Sequence, residues 1–296
     1  QSGDDSDAEK QVKVWEESFE TDIYETIGDL RPEQVGRDFV GWISMYDGAE
    51  IDKGEMNEWL DDTIATMING GESGHVLELG SGTGMILFNL INTGLRSYVG
   101  LDPSQKAVDF VARSAMKSPE LASKVHMYKG TAADLSHLDE PICPDLIVVN
   151  SVAQYFPGQQ YILNVIKDVL ALKGSGAKTM FFGDMRSYAL YDQFRVTRAL
   201  HRVGRKPGKN EVRQQMKDME EMEVEYLVAP AFFTSLPTLL PDLVEHVEIL
   251  PKKMKGTNEL SCYRYAAVVH ARHTGKSLSI HEVHPSSWVD FQKEEL

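Results

Sequence analysis

Glu78, Gly80, Gly82 and Gly84 stand at every second position in the stretch VLELGSGTG (76–84). A short apolar run leads in and a helical pattern follows. A glycine turn between strand and helix lets a ligand approach the backbone, with the first helical N–H groups close by. Enzymes that bind dinucleotides use G-x-G-x-x-G, whose third glycine packs helix on strand. Here the spacing is G-x-G-x-G, and Met85 takes the place of that third glycine. Further residues with chemical capacity follow. Asp102 and Pro103 come after the next apolar run, and Ala133 and Asp134 lie in GTAADL (130–135). Asn150, Ser151, Gln154 and Tyr155 lie in NSVAQYFP (150–157), and Asp184, Arg186 and Tyr188 in GDMRSYAL (183–190). Asn258, Glu259 and Tyr263 lie in TNELSCYRY (257–265).

These groups act together only if their strands lie side by side. Strand-like runs occur at 75–79, 97–102, 125–130, 145–150 and 178–184, with helical patterns near 84–93, 104–117 and 159–172. Continuous apolar strands alternating with helices indicate a parallel sheet covered on both faces, an open, doubly wound α/β fold. Ligands in such folds bind beyond the carboxyl ends of the strands. The alternation stops at Asp184. Helical patterns fill 187–229, a segment long enough to form a lid, and AFFTSLPTLLP continues the helical character before two late strand-like runs at 243–251 and 262–272. Upstream, EMNEWLDDTIATMI (55–68) places Met56, Trp59, Leu60, Ile64, Met67 and Ile68 on one helical stripe. Residues 1–10 read as disordered.

Composition narrows the setting. The net charge of −15 is concentrated in residues 1–75, with 20 acidic and 5 basic side chains, while the rest balances at 25 of each. Such a surface repels phosphate backbones and argues against a nucleic-acid partner. No run reaches the length of a membrane span. The polar, acidic start and the two cysteines, Cys143 and Cys262, without metal-ligand spacing, suit a reducing, cytoplasmic setting. Each cysteine reads as a small buried hydrophobe.

The arrangement E-x-G-x-G-x-G resembles motif I of S-adenosylmethionine (SAM) dependent methyltransferases. With GWISMYDG (41–48), EMNEWLDDTI (55–64), NSVAQYFP, GDMRSYAL and TNELSCYRYAAVVHAR (257–272), the chain resembles the N-methyltransferase domain of nonribosomal peptide synthetases of the fungal N-methylated peptide and cyclodepsipeptide type. The similarity runs from about Trp15 to about Arg272. Ile43 departs from relatives that carry Asn or Thr there. The resemblance implies a Rossmann-like class I methyltransferase with a mainly parallel seven-stranded sheet, helices on both faces, an N-terminal helical arm and a helical lid. It divides the chain into an acidic arm that covers the cofactor (1–74), a SAM-binding core (75–186), a lid or acceptor insertion (187–242), a final strand pair (243–272) and a tail rejoining an adenylation domain (273–296).

It further implies SAM as cofactor, S-adenosylhomocysteine as product, and an aminoacyl thioester on the phosphopantetheine arm of a peptidyl carrier protein as substrate, with the host adenylation domain in cis. Expected cofactor contacts are Glu78, Gly80, Ser81, Gly82, Gly84, Pro103, Asn150 and Ser151, with Tyr46 toward the SAM carboxylate. Asp102 is expected to accept both ribose hydroxyls or to cap the helix near Ser104. Asp134 is expected at the adenine amino group, with Ala133 near the ring, or as a helix cap. Candidate groups for holding the amine or taking its proton are Asn150, Gln154, Asp184 and Glu259, the last two foremost. Arg186 pairs with Asp184 or Glu259 or serves a structural ion pair. Tyr155 and Tyr188 wall the methyl channel or belong to the core, and Asn258 and Tyr263 join the substrate side. Trp59 is expected in the core. Two rival enzymes, a dinucleotide oxidoreductase and a free-standing small-molecule methyltransferase, and a non-catalytic scaffold remain as alternatives.

Overall fold

The computed structural model describes residues 2–25, 27–135, 143–172, 179–204 and 208–272. The expected tail, 273–296, lies outside them. Seven strands form one sheet: β1 (Gly74–Leu79), β2 (Leu95–Asp102), β3 (Val125–Lys129), β4 (Leu146–Asn150), β5 (Thr179–Arg186), β6 (Val244–Pro251) and β7 (Arg264–Ala271). Their order is β3-β2-β1-β4-β5-β7-β6. The first five pair in parallel, and β7 inserts antiparallel between β5 and β6.

The reason for the burial pattern is visible in β4, where LIVVN is buried at every position. A strand covered on both faces has no use for alternation. On one face pack α5 (Gln159–Leu170) and α8 (Pro230–Leu239), bringing Ile162, Val165, Ile166 and Phe233 onto Ile147, Val149 and Phe182. On the other lie α2 (Lys53–Ile68), α3 (Met85–Asn89) and α4 (Gln105–Met116). In α2, the Asp52 side chain caps Gly54 and Glu55, and Asn69 ends the helix in the left-handed region. The helix buries Met56, Trp59, Leu60 and Met67, four of the six stripe residues. Each such side chain contributes roughly 1.5–3 kcal/mol of transfer free energy.

The acidic arm opens with α1 (Ser2–Ser18), so helix replaces the expected disorder over most of residues 1–10. A π-helical turn, Phe19–Ile23, follows. Residues 187–242 contain α6 (Tyr191–Val203), α7 (Lys209–Glu221) and α8. A short helix, α9 (Glu259–Tyr263), precedes β7 where strand was expected from Cys262. Both cysteines are exposed, not buried. Among the described residues no helix is long and apolar enough to cross a membrane.

Candidate functional site

The carboxyl ends of β1, β2, β4 and β5 meet the start of β7, because β7 runs opposite to its neighbours. A cavity of about 420 Å³ lies there, lined from below by residues 78–83, Asp102, Pro103, Gly130–Ala132 and 150–152. The arm lines it from the other side with Trp15, Phe19, Tyr24 and Trp42.

Gly80, Gly82 and Gly84 all have left-handed φ, at 77°, 50° and 79°. A Cβ on Gly80 would fall 2.4 Å from Val152 Cγ2, and one on Gly84 would fall 2.7 Å from Phe88. These two glycines let the turn pack on its neighbours. A Cβ on Gly82 would fall 2.9 Å from the Tyr24 hydroxyl, so the arm itself closes over this glycine. Asp102 accepts the Gly82 N–H at 2.7 Å and the Ser104 N–H at 2.9 Å, one on each carboxylate oxygen. The cap of α4 is Ser104, whose Oγ accepts from Ala107. Burial raises the Asp102 pKa to about 6, against the two backbone N–H groups that favour its charge. Glu78 is buried, with the Tyr98 hydroxyl donating to it. Burial, helped by the Asp102 charge and opposed by that hydrogen bond, raises its carboxyl to about 8.

Ala132, not Ala133, lines the cavity; Ala133 points to solvent. Asp134 accepts from the Thr131 N–H and Oγ at 2.7 and 2.8 Å, closing the turn after β3, and stands outside the lining.

At the ends of β4 and β5, Ser151 and Asp184 both adopt φ of 58°, a region non-glycine residues seldom enter. Such conformations persist where surroundings over-determine them. The surroundings here are explicit. Asp184 is fully buried and accepts from Trp59 Nε1 at 3.1 Å and from Ser151 Oγ at 3.0 Å, and it pairs with Arg264. Trp59 therefore does more than fill the core. Asn150 lines the cavity and its Nδ2 donates to Ser151 Oγ at 3.2 Å, while its Oδ1 is buried against Gly183 without a hydrogen-bond partner among the described residues. Gln154 and Tyr155 also line the cavity. The Tyr155 ring lies 4.6 Å from Trp15 and 5.0 Å from Phe19, joining the sheet side to the arm.

Several expected site residues stand elsewhere. Glu259 accepts the Met45 N–H at 2.8 Å and borders a small adjacent pocket rather than the cavity, so it anchors the 44–48 loop. Tyr46 stacks on His201 at 4.7 Å, away from the cavity. Arg186 pairs with neither Asp184 nor Glu259. Its guanidinium forks onto Glu223 at 2.8 and 2.7 Å and reaches Glu225 at 2.6 Å, tying the segment after α7 to β5. These partners raise its pKa against burial. Tyr188 is 65% exposed. Asn258 caps α9 through the Leu260 and Ser261 N–H groups. Tyr263 shares a 2.7 Å hydrogen bond with Thr197. Sequence reasoning missed Arg264 and the arm rings Trp15, Phe19, Tyr24 and Trp42. A charged residue heading the apolar run of β7 was a usable signal for Arg264; nothing in the sequence places the rings.

Does this lining fit SAM? A glycine turn bordering the cavity, two buried carboxylates, an unpartnered amide oxygen and a ring of aromatic faces suit a group with hydroxyls, an ammonium and a sulfonium. The fold and the site thus define a class I, SAM-dependent methyltransferase. The chain belongs to the methyltransferase domain family, which it matches over residues 71–226. Among curated proteins it is 64% identical over 296 residues to the nonribosomal peptide synthetase dtxS1 of Metarhizium robertsii, covering 100% of this chain and 4% of that protein. It is 49% identical over 294 residues to the cyclosporin synthetase simA of Tolypocladium inflatum, covering 99% of this chain and 2% of that protein. It is 52% identical over 289 residues to the beauvericin nonribosomal cyclodepsipeptide synthetase BEA1 of Gibberella fujikuroi, covering 98% of this chain and 9% of that protein. The chain thus spans a small fraction of these relatives. Among solved structures, magnesium protoporphyrin IX methyltransferase from Synechocystis PCC 6803 aligns with a TM-score of 0.54 at 11% identity, over 88% of this chain and 99% of that one, a likeness of fold.

Proposed function

We propose that the chain transfers the SAM methyl group to the α-amino nitrogen of an amino acid held as a thioester on the phosphopantetheine arm of a peptidyl carrier protein. The similarity to synthetases of cyclosporin and beauvericin supports the setting, and an adenylation domain in cis belongs to the same reading. The observation that carries the chemistry is Asn150, which lines the cavity beside the glycine turn and whose Oδ1, buried against Gly183, is an acceptor without a donor among the described residues.

SAM, when bound, supplies an electrophilic methyl group. The chain's own residues supply position. Asn150 Oδ1 accepts one N–H of the incoming amine and so directs its lone pair. Ser151 is fixed by Asp184, and Asp184 by Trp59 and Arg264, which together hold Asn150 in place. Glu78 meets a positive charge in its ionised form, Asp102 presents its free lone pairs to hydroxyls, and the arm rings exclude water. An α-amino group has a pKa of about 7.7–8.0, so a neutral fraction exists near pH 7 and alignment matters more than a strong base. The released proton passes to Glu225, a carboxylate that lines the cavity and pairs with Arg186.

Mass spectrometry of a panel of amino acids loaded on a carrier protein, with SAM, tests the reading. A mass gain of one methyl group on a carrier-bound amino acid is expected. Methylation of free amines alone would replace this reading with a small-molecule methyltransferase.

A further inference from the structure

Beside the main cavity lies a second one of about 400 Å³, between the 43–48 loop and α6. Three basic side chains of α6 line it, Arg198, His201 and Arg202. They share one helix face by their spacing of three and four. In a chain of net charge −15 such a cluster stands apart. Arg198 and Arg202 form no ion pair or hydrogen bond among the described residues, and Arg198 Nε is buried without a partner. Like charges four residues apart on a helix oppose each other, and a buried guanidinium nitrogen without an acceptor costs more. Burial, then the charge of Arg202, lowers the Arg198 pKa; Glu223 opposes this but is itself held by Arg186. Asp47 is the acidic residue in the lining, and its carboxylate accepts the Ala49 N–H at 3.0 Å. The stack of Tyr46 on His201 fixes the loop against the helix.

We infer that this pocket binds the phosphate of the carrier's phosphopantetheine arm, an inference that rests on the thioester acceptor proposed above. An anion with several acceptor oxygens matches the fork of donors an arginine offers. Ile43 and Met45 line both this pocket and the main cavity, so a tether held by its phosphate here passes those two residues to bring its far end over the glycine turn.

Calorimetry with phosphopantetheine and with pantetheine, which lacks the phosphate, tests the site without any methyl transfer. The 296-residue chain is expected to bind phosphopantetheine at least about tenfold tighter, as charge-assisted pairs would give. That ratio should fall to near one in Arg198→Gln/Arg202→Gln. Exposed Arg202→Glu, which leaves the partly buried Arg198 in place, should lower it too and guards against a misfolded double variant. Equal binding of the two compounds by the parent, or a ratio that survives in both variants, would overturn the site. A phosphate preference without methylation of any carrier-bound amino acid would sink the acceptor reading and leave the site standing; methylation without the preference would do the reverse.

Discussion

Asp102 holds the glycine turn from beneath: its carboxylate accepts the Gly82 N–H at 2.7 Å while its other oxygen accepts the Ser104 N–H at 2.9 Å. One side chain thereby fixes the loop after β1 to the loop after β2, the two loops that border the cavity.

Asp102→Ala removes this brace together with the acceptor expected at the ribose. Affinity for S-adenosylhomocysteine should weaken by roughly 3–6 kcal/mol, the sum of two charge-assisted bonds. Asp102→Asn keeps one acceptor oxygen and should lose less. Calorimetric titration decides, and parental affinity in Asp102→Ala would remove the residue from the cofactor site.

Glu78 makes cofactor binding depend on pH. With its carboxyl near 8, raised by burial, it is mostly protonated at pH 7. A bound cation favours the carboxylate, so binding should release a proton at pH 7 and tighten as pH rises toward 8. Asp102, near 6, is already largely ionised there and adds little. For stability the sign is opposite. The folded pKa lies above the unfolded value of 4.5, so the contribution present below about 4.5 is lost as pH rises to about 8. Glu78→Gln should therefore melt higher than the parent at pH 8 without ligand, yet bind SAM more weakly and without proton release. Titrations in two buffers of different ionisation heat would show it.

Asn150 and Glu259 separate positioning of the amine from positioning of a loop. Asn150→Ala should reduce single-turnover methylation of a carrier-bound amino acid by roughly 100-fold, the cost of a misplaced nucleophile. Glu259→Gln keeps an oxygen for the Met45 N–H and should stay near the parental rate. Glu259→Ala frees the 44–48 loop and should raise KM more than it lowers kcat. A parental rate in Asn150→Ala would remove Asn150 from the acceptor site.

Arg186 ties the segment after α7 to the sheet through Glu223 and Glu225. Arg186→Ala leaves two partly buried carboxylates facing each other and should cost about 3 kcal/mol of stability, in the range for a broken buried pair. Hydrogen exchange should rise over 209–228 while cofactor affinity stays unchanged. Equal protection in parent and variant would show that this segment is held by other contacts.

Much of the site was legible because strand ends are marked in the sequence. Gly80, Asp102, Asn150 and Asp184 each follow or end an apolar run, and the fold gathers such ends on one edge. Glu259 and Tyr46 misled because their neighbours come from distant segments: Met45 lies 214 residues from Glu259, and His201 faces Tyr46 from α6. Of the readings open for Arg186, a pair with Asp184 or Glu259 or a structural ion pair, the structure shows the last. Its actual partners, Glu223 and Glu225, lie beyond α7.

The sequence by itself determined the sheet, its covered faces and the glycine turn, because burial and backbone freedom act over a few residues and leave a periodic trace. Only the tertiary structure decided which carboxylate stands in the cavity, which arginine reaches Asp184, and that the arm closes over Gly82. The choice of arginine depends on β7 running backwards beside β5, which sets Arg264 rather than Arg186 against Asp184. Pairing between charges is a matter of distance in space, and sequence spacing carries no record of it.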